Sequence, residues 1–401
     1  MKIRSITYFC NPGYPLDETV LQKAGEFLAR AKAAYETAAY EVQTVRLATI
    51  PFPEIVGEAN IGRLPELTSQ LDQLAQEFKI GYVSLGSALP ELPRSYEVIP
   101  DAIFVSKNVF FSGKMADTRR GVDVSAVRAC AEVIVKCASI EPNGFANLQF
   151  AALANVDAGA PFFPAAYHDS NSAMFAIAIE SADLAVRAFE AAKNLEEARG
   201  NLIREIEMHG KRLTDIANSL NCKFGGIDFS LAPFPTESQS LGTAFEKLGI
   251  PKIGMHGSLL VAALLTEALD RADFLHTGFN GLMMPILEDA TLARRAAEGT
   301  LTIKDVLLYS AVCGTGLDTI PLPGDTTAEQ IVPLLLDLCA LALRLNKPLT
   351  ARLMPIPGKK AGDETNFDFA FFAPSRVMAL DSEGLKNPLS RTETFQLSSR
   401  K

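Results

Sequence analysis

The sequence predicts an α/β protein in which parallel strands are covered by helices. Its 401 residues are 48% hydrophobic and 21% charged, which is ordinary globular composition with enough apolar residues for a large core. A unit of β-rich run, Gly/Pro loop and helix recurs about eight to ten times along the chain. Because no long linker, low-complexity tract or clear repeat interrupts this pattern, we expect one large barrel-like or multi-stranded body.

The first half of the chain supplies the clearest elements. The segments with strand or helix periodicity are 3–9 and 40–48 for strands and 17–38, 125–138 and 195–220 for helices. Asp17 or Glu18 stands at the start of the first helix, where a carboxylate interacts favourably with the helix dipole. A β-rich run that ends at Glu180 is followed by a further helix. This β-α-β rhythm favours parallel strands.

Polar side chains stand in the loops that follow several predicted strands. In FANLQFAALANVDAGAPFFPAAYHDS a strand runs into a loop with His168. In KFGGIDFSLAPFPTES a strand that ends near Asp228 leads to a loop with Glu237. The run GMHGS places His256 before an apolar helix, and the run ILEDATLARR places Glu288 at a helix start, where the dipole alone explains an acid. Loops beyond strand ends are where α/β folds bind ligands.

The stretch SAVCGTGLDTIPLPGD combines a thiol, carboxylates, glycines and prolines. Cys313 precedes glycines that let backbone approach a ligand, and it is either a pocket thiol or a small buried hydrophobe. Asp318 lies on a predicted strand, where a site role and a salt bridge to Arg352 both remain open. Asp325 precedes a helix and is interpreted mainly as its N-cap. Arg352 and Lys359 flank a Pro-Gly loop that suits an anion clamp, although GKKAGD lacks the P-loop spacing.

Charge and apolar runs limit the partners and the location. The formal charge of −9 disfavours nucleic acid and anionic membranes as partners. The N-terminal apolar run is too short for a signal peptide, and charged residues interrupt the most apolar later segments. We therefore expect a cytoplasmic protein that binds a small molecule. Its apolar helices permit homo-oligomers, without indicating a stoichiometry.

Cysteine and histidine usage disfavours a disulfide framework or a zinc site. The six cysteines are scattered without a CxxC pair, so we expect reduced thiols, and Cys130 and Cys137 share the apolar face of a helix. The cofactor is left unknown. A hard divalent cation such as Mg²⁺ or Ca²⁺ would suit four of the acids if their loops converged. These acids are Asp228, Glu237, Glu288 and Asp318.

If these loops meet at one end of the sheet, they form a pocket of mixed charge. The expected catalytic residues are Cys313, Asp318, His168 and Glu288, as thiolate or as proton donors and acceptors. The expected substrate-binding residues are Arg352, Lys359, Asp228, Glu237 and His256. His168 follows an aromatic-proline run, so a structural histidine is the alternative to a catalytic one.

Several long motifs resemble one family. The runs PFFPAAYH, GIDFSLAPFP, FNGLMMPILEDATLARRAAEGT, SAVCGTGLDTIPLPGDT and LTARLMPIPGKKAGD are similar to those of the bacterial and archaeal domain-of-unknown-function family 711. The resemblance covers residues 2–380 and implies a single large barrel like the ten-stranded α/β barrel of pyruvate formate-lyase and other glycyl radical enzymes. Radical chemistry would need a glycine near the C-terminus, where SRVMALD offers none. We expect a barrel domain over 1–378 and a polar tail over 379–401.

These observations lead to one main functional hypothesis and two alternatives. The main hypothesis is an enzyme that acts on a small anionic metabolite by acid/base or hydrolytic chemistry. The alternative is a metabolite sensor or binding protein that uses the same pocket without catalysis. The third is radical chemistry, which rests on fold analogy alone.

Overall fold

The computed structural model describes residues 1–312 and 315–400, and it is a mixed α/β protein built on one 11-stranded sheet. The strands are β1 (Lys2–Cys10), β2 (Val42–Thr49), β3 (Tyr82–Ala88), β4 (Val109–Asp117), β5 (Gly121–Asp123), β6 (Phe150–Ala154), β7 (Met174–Glu180), β8 (Lys223–Ala232), β9 (Gly316–Pro323), β10 (Leu349–Ile356) and β11 (Thr394–Phe395). The α/β class predicted from the recurring strand and helix unit is confirmed.

The sheet consists of two parallel sets of strands that run in opposite directions. Its order is β8-β7-β1-β2-β3-β4-β6-β10-β9, with β5 and β11 attached beside β4. Strands β1, β2, β3, β4 and β6 are mutually parallel, as are β7 with β8 and β9 with β10. The two sets meet in the antiparallel pairs β1–β7 and β6–β10. Each end of the sheet therefore carries the carboxyl ends of one set of strands and the amino ends of the other set.

The two edge strands, β8 and β9, are both contacted by an irregular segment, residues 275–287. On the β8 side the amide of Ile227 donates to the Leu275 carbonyl at 2.8 Å. On the β9 side the amide of Ile286 donates to the Asp318 carbonyl at 3.0 Å. Among the described strands, no pairing between β8 and β9 closes the sheet, so the single closed barrel remains a prediction.

Helices cover one face of the sheet. The α-helices are α1 (Glu18–Thr37), α2 (Phe52–Val56), α3 (Leu64–Glu77), α4 (Arg94–Glu97), α5 (Ile99–Phe104), α6 (Val124–Ala138), α7 (Ala182–Glu190), α8 (Leu195–Asn218), α9 (Leu241–Lys247), α10 (Ser258–Arg271), α11 (Ala290–Ala297), α12 (Ile303–Tyr309) and α13 (Ala328–Arg344). Their apolar stripes pack on the sheet in the largest hydrophobic cluster, as Leu28 and Leu335 do against the strands. Cys130 and Cys137 are buried in this layer, as predicted, and the five described cysteines are free.

The opposite face of the sheet is covered by a loop, residues 156–168, instead of helices. Small and hydroxylated side chains point to this face, and loop carbonyls accept their hydrogen bonds. Thr7 Oγ1 donates to the Pro161 carbonyl at 3.0 Å, and Ser84 Oγ donates to the Ala166 carbonyl at 2.7 Å. Phe162 adds apolar contacts in a smaller cluster. The loop leaves a cavity at each end of this face.

The C-terminal residues run back over the body of the protein. Strand β11 pairs with β5, and the Arg400 amide donates to the Arg344 carbonyl at 2.9 Å. The predicted boundary at residue 378 stays a prediction. Within residues 1–312 and 315–400, no helix combines the length and apolar character needed to cross a bilayer.

The cap of α13 corrects one sequence interpretation. Thr327 is the N-cap, because its side chain accepts from the Gln330 amide at 3.3 Å while Gln330 Oε1 accepts from the Thr327 amide at 3.0 Å. Asp325 lies too early in the chain to cap this helix.

We expect Thr327→Ala to lower the free energy of unfolding by about 1 kcal/mol, because the cap is lost. The matched variant Asp325→Ala should leave it almost unchanged. Urea denaturation measures both variants. A larger effect at Asp325 than at Thr327 would contradict this assignment of the cap.

Candidate functional site

A cavity of about 90 Å³ lies at one end of the sheet face that the loop covers. It borders the first residues of β3 and β4 and the last residue of β8. Its wall combines charged and aromatic side chains, namely Arg4, Arg46, Arg352, Glu288, Tyr82, Phe110, Phe162, Phe163, Phe369 and Phe371. We call this cavity the arginine pocket.

Two of the arginines belong to a connected network of buried charges. Arg352 Nε donates to Asp318 Oδ1 at 2.6 Å, and its Nη2 donates to Glu288 Oε1 at 2.8 Å. Arg4 Nη2 donates to Glu288 Oε2 at 2.5 Å, and its Nη1 donates to Glu180 Oε2 at 3.1 Å. The salt bridge between Asp318 and Arg352, one of the two possibilities left open by the sequence, is therefore confirmed.

Irregular backbone positions these charged groups. Between β9 and β10, two residues of β9, Asp318 and Thr319, lie opposite the single residue Arg352. Thr319 has φ of 44°, a left-handed conformation that a β-branched side chain adopts only at a cost of about 1–3 kcal/mol. Arg4 lies at a similar irregularity between β1 and β7. Such bulges redirect side chains and are frequent beside active sites.

Arg46 differs from the other two arginines because it lacks an acidic partner. Its Nε donates to Thr44 Oγ1 at 2.8 Å, and the guanidinium carbon lies 5.0 Å from the ring centroid of Phe163 and 5.7 Å from that of Tyr82. The residue is only 9% exposed, and no described carboxylate is within salt-bridge distance. Burial, reinforced by the charge of Arg4, lowers the pKa of Arg46 to about 9. It is a buried cation that the charge of Glu288 reaches only from beyond salt-bridge distance.

Two carboxyl groups of the network bind protons more tightly than usual. Burial raises the pKa of Asp318, against the opposing charge of Arg352, and the charge of Glu288 raises it further. Burial likewise raises the pKa of Glu180, whose Oε1 has no hydrogen-bond partner among the described residues. The charges of Asp318 and Glu288 overcome the effect of burial on Arg352, whose pKa is raised. Asp318 is therefore a weaker acid than an exposed aspartate, and it lies beside a fixed cation.

Glu288 and its neighbour Asp289 have different roles, although the sequence suggested the same helix-start role for both. Asp289 is the N-cap of α11, accepting from the amides of Thr291 and Leu292 at 2.9 Å. It also accepts from the Leu241 amide at 2.6 Å, so one carboxylate joins the starts of α9 and α11. Glu288 instead points into the arginine pocket.

His168 is buried away from the arginine pocket. Its Nε2 lies 3.0 Å from the Ser172 carbonyl, and its amide donates to the Thr49 carbonyl at 2.8 Å. Its ring packs 5.9 Å from that of Phe9, and burial lowers its pKa. Its Nδ1 is buried without a hydrogen-bond partner among the described residues, so the choice between a structural and a catalytic histidine stays a prediction.

Asp228 is also buried, and it joins β8 to the irregular segment 275–287 instead of lining the pocket. Oδ1 accepts from Ser230 Oγ at 2.5 Å and from the Asn280 amide at 3.1 Å, and Oδ2 accepts from the Phe279 amide at 2.7 Å. Burial raises the pKa of Asp228 from 3.8 to about 6, although these hydrogen bonds oppose the shift.

This raised pKa predicts a pH dependence of stability. Folded Asp228 holds its proton up to about pH 6, whereas the unfolded chain releases it above about pH 4, so rising pH favours unfolding in this window. At about 1.4 kcal/mol per pKa unit, the loss is about 3 kcal/mol. Urea denaturation between pH 4 and 6 measures it, with Asp228→Asn as the variant that cannot titrate. Parallel pH profiles for the two proteins would contradict the prediction.

The remaining predicted residues lie outside the arginine pocket. Glu237 is exposed and pairs with Arg294 at 2.6 Å, and His256 is exposed before α10. Lys359 lies beyond the end of β10, where its carbonyl accepts from the Gly324 amide. Cys313 falls outside the described residues. Within the described chain, no three His, Cys, Asp or Glu side chains are grouped to hold a metal ion, so the four acids do not converge.

The sequence reasoning missed Arg4 and Arg46. Each is a cation inside a strand-forming run, in KIRSITYFC and VQTVRLAT. Because burying an unpaired charge is costly, an arginine in such a run signals either a buried ion pair or a ligand site. The aromatic wall was visible only as the motif PFFP, which contains Phe162 and Phe163.

Comparison with known proteins gives one consistent result. A family model described as Uncharacterised ACR (DUF711) matches residues 1–375. A UPF0210 protein of Pyrobaculum aerophilum is 31% identical over 84% of this chain and 79% of its own length. UPF0210 proteins of Oenococcus oeni and Neisseria meningitidis are 26% and 29% identical over 87% and 84% of this chain, and over 81% and 79% of their own lengths.

Proposed function

This chain belongs to the DUF711 family of uncharacterised proteins, and from the arginine pocket we propose that it is an enzyme that binds a small organic anion and transfers a proton. Arg46 holds the anion and Asp318 carries the proton. The observation that supports this function best is the buried guanidinium of Arg46, which has no carboxylate partner in the described chain and faces a cavity.

The size and lining of the pocket indicate the class of ligand. At about 10–15 Å³ per water-sized position, a cavity of about 90 Å³ has room for about six to nine such positions. A guanidinium binds a carboxylate or phosphate through two parallel hydrogen bonds. The rings of Tyr82, Phe110 and Phe163 favour an apolar or planar remainder. The ligand is thus a small organic acid.

Asp318 is the residue best suited to the proton transfer. Burial raises its pKa above the ordinary value of an aspartate, and Arg352 fixes its orientation through the 2.6 Å hydrogen bond. The left-handed backbone of Thr319 supports this role, because strained residues are concentrated at functional sites. Glu288 acts as the bridge that keeps Arg4 and Arg352 in place.

One observation favours a second candidate, a binding protein or sensor without catalysis. Both carboxylate oxygens of Glu288 accept from arginines, so this acid has little freedom to act as a base. In that case the network only shapes and charges the pocket, and Asp318 serves as the counter-ion of Arg352.

A closed barrel is part of the proposal. Nine strands form the main order of the sheet, and residues 275–287 hydrogen-bond to both edge strands, which supports a ten-membered barrel with this segment as the missing strand. Radical chemistry is not included, because no glycine follows Val377 in SRVMALD.

The test combines binding with turnover. A panel of acetate, pyruvate, benzoate and inorganic phosphate, extended to other small organic acids, is screened by thermal shift, and each binder is then followed by NMR for chemical change. We expect Asp318→Asn to bind the converted acid while losing at least about 100-fold in turnover, which is the usual contribution of a general acid or base. If every bound acid stayed chemically unchanged, the result would favour the sensor hypothesis and exclude the enzyme hypothesis.

A further inference from the structure

A second cavity, of about 340 Å³, lies at the other end of the same sheet face. Its wall is polar and includes Lys114, Asp117, Asp157, Tyr167 and Asp169. We call it the Lys114 cavity. Phe110, at the start of β4, borders the arginine pocket, whereas Lys114 lies four residues further along the strand. At about 3.3 Å per residue the two positions are separated by about 13 Å, with the 156–168 loop between the cavities.

Lys114 is held firmly by its surroundings. It lies inside β4, opposite Leu153 of β6, and the Tyr96 hydroxyl donates to its carbonyl at 2.5 Å. Its Nζ lies 4.3 Å from the ring centroid of Tyr167, which is itself fixed by a hydrogen bond from its hydroxyl to the Val156 carbonyl at 2.8 Å. The amine is therefore presented to the cavity from a rigid strand and a rigid ring.

The amine also lacks a direct acidic partner. Among the described residues no carboxylate is within salt-bridge distance of Lys114 Nζ, although several carboxylates are near. Burial lowers the pKa of Lys114, and the charges of Asp117, Glu54, Glu91 and Asp157 only partly oppose this effect. A larger fraction of neutral amine is then present at neutral pH than for an exposed lysine. A neutral lysine amine in a cavity is the nucleophile that reacts with carbonyl compounds.

We propose that Lys114 forms a Schiff base with a small, hydroxylated aldehyde or ketone bound in the Lys114 cavity. The lone pair of Nζ attacks the carbonyl carbon and gives a carbinolamine. A wall carboxylate such as that of Asp157 or Asp169 takes a proton from the nitrogen and passes it to the carbinolamine hydroxyl, which leaves as water as the C=N bond forms. Amine and carbonyl are converted to imine and water without any change of oxidation state.

The polar wall defines the class of ligand. Carboxylates and the Asn155 amide accept and donate hydrogen bonds to hydroxyl groups. The three acids of the wall outnumber its one arginine, Arg119, and so disfavour an anionic ligand. The Lys114 cavity therefore takes an uncharged hydroxycarbonyl compound, unlike the arginine pocket. The two inferences are independent, since neither uses a residue of the other site.

The experiment traps the imine on the intact protein. Wild-type protein is treated at neutral pH with glyceraldehyde and cyanoborohydride, which reduces the imine to a stable secondary amine, and modified lysines are located by peptide mass spectrometry. Lys107 is the internal control, because its side chain is 84% exposed and pairs with Glu141. Burial lowers the pKa of Lys114, whereas the hydrogen bond with Glu141 raises that of Lys107, so we expect Lys114 to be modified faster than Lys107.

Two variants complete the test. Lys114→Arg should lose the fast adduct, and Lys107→Arg should retain it. Modification of Lys114 no faster than that of Lys107 in the wild-type protein would overturn the proposal, and this comparison does not depend on whether a variant folds. An equally fast adduct in Lys114→Arg would also overturn it. Neither result would bear on anion binding at Arg46.

Discussion

Replacing Arg352 by methionine is expected to lower the free energy of unfolding by about 3–5 kcal/mol, the usual cost of breaking a buried ion pair by removing one partner. Arg352 contacts both Asp318 and Glu288, and all three side chains are buried. Glu288 keeps Arg4 as a partner, but Asp318 has no second cation within salt-bridge distance in the described chain. Methionine fills a similar volume, so the loss reports the missing charge instead of a cavity.

The matched control for this variant is Arg294→Met. The pair between Arg294 and Glu237 has the same 2.6 Å separation as that between Arg352 and Asp318, but it is exposed to solvent. Solvent screens such a pair, so little change is expected. Urea denaturation at pH 7 compares the two variants. An equal loss of unfolding free energy in the two variants would contradict the prediction that the buried pair contributes more stability than the exposed pair.

Replacing Arg46 by methionine is expected to have the opposite effect on stability and to remove anion binding. The variant eliminates a buried charge that has no counter-ion in the described chain, while a thioether keeps contact with the rings of Tyr82 and Phe163. We expect the free energy of unfolding to rise by about 1 kcal/mol. Loss of the guanidinium should weaken binding by about 2–5 kcal/mol, that is, at least about 30-fold in Kd.

Arg30→Met serves as the control for Arg46. Arg30 also lies over an aromatic ring, 6.0 Å from the centroid of Phe27, but it is exposed and outside the pocket. It should retain both binding and stability. Calorimetric titration with benzoate, pyruvate and inorganic phosphate, combined with urea denaturation, measures the two quantities. An Arg46→Met protein that is less stable and binds the same anions equally well would refute the anion-binding role.

Arg352 and Arg46 line the same pocket, but we expect the first to stabilise the fold and the second to bind the ligand. One arginine neutralises acids and holds the strands, so its removal costs stability. The other is retained at a cost to stability, which is the pattern expected where function opposes stability. Proteins of this family that bind the same anion should keep the second cation even though the fold does not require it.

The alternation of strands and helices was predictable because it depends on local periodicity. The first strand, predicted over 3–9, is observed as Lys2–Cys10, and the helix predicted over 17–38 is observed as Glu18–Thr37. Asp17 caps this helix, as its position suggested. The irregular segment 275–287 bridges the two sheet edges, and this could not be predicted because its partners lie on two strands that are distant in sequence.

The sequence also identified Asp318, Arg352 and Glu288 as candidates, because polar residues at the ends of strands often bind ligands in α/β folds. It grouped them with Asp228, Glu237, His168 and His256, which the structure separates by burial, by pairing with their own neighbours or by exposure. His168 follows β6, which runs opposite to β9 and β10, so its loop lies at the other end of the sheet. Asp228 and Glu237 belong to β8 and the loop after it, which run with β9 and β10, but Asp228 is bound to the amides of Phe279 and Asn280 and Glu237 is exposed beside Arg294.

The sequence by itself therefore determined the α/β class, the positions of most helices and strands, the buried thiols and the acidic character of the surface. Composition and local periodicity suffice for these properties. Only the tertiary structure decided which charges meet. Bulges in β1 and β9 direct Arg4 and Arg352 to one cavity, and the 156–168 loop separates that cavity from Lys114. Strand register and long-range pairing are set by the whole fold, so no local pattern could specify them.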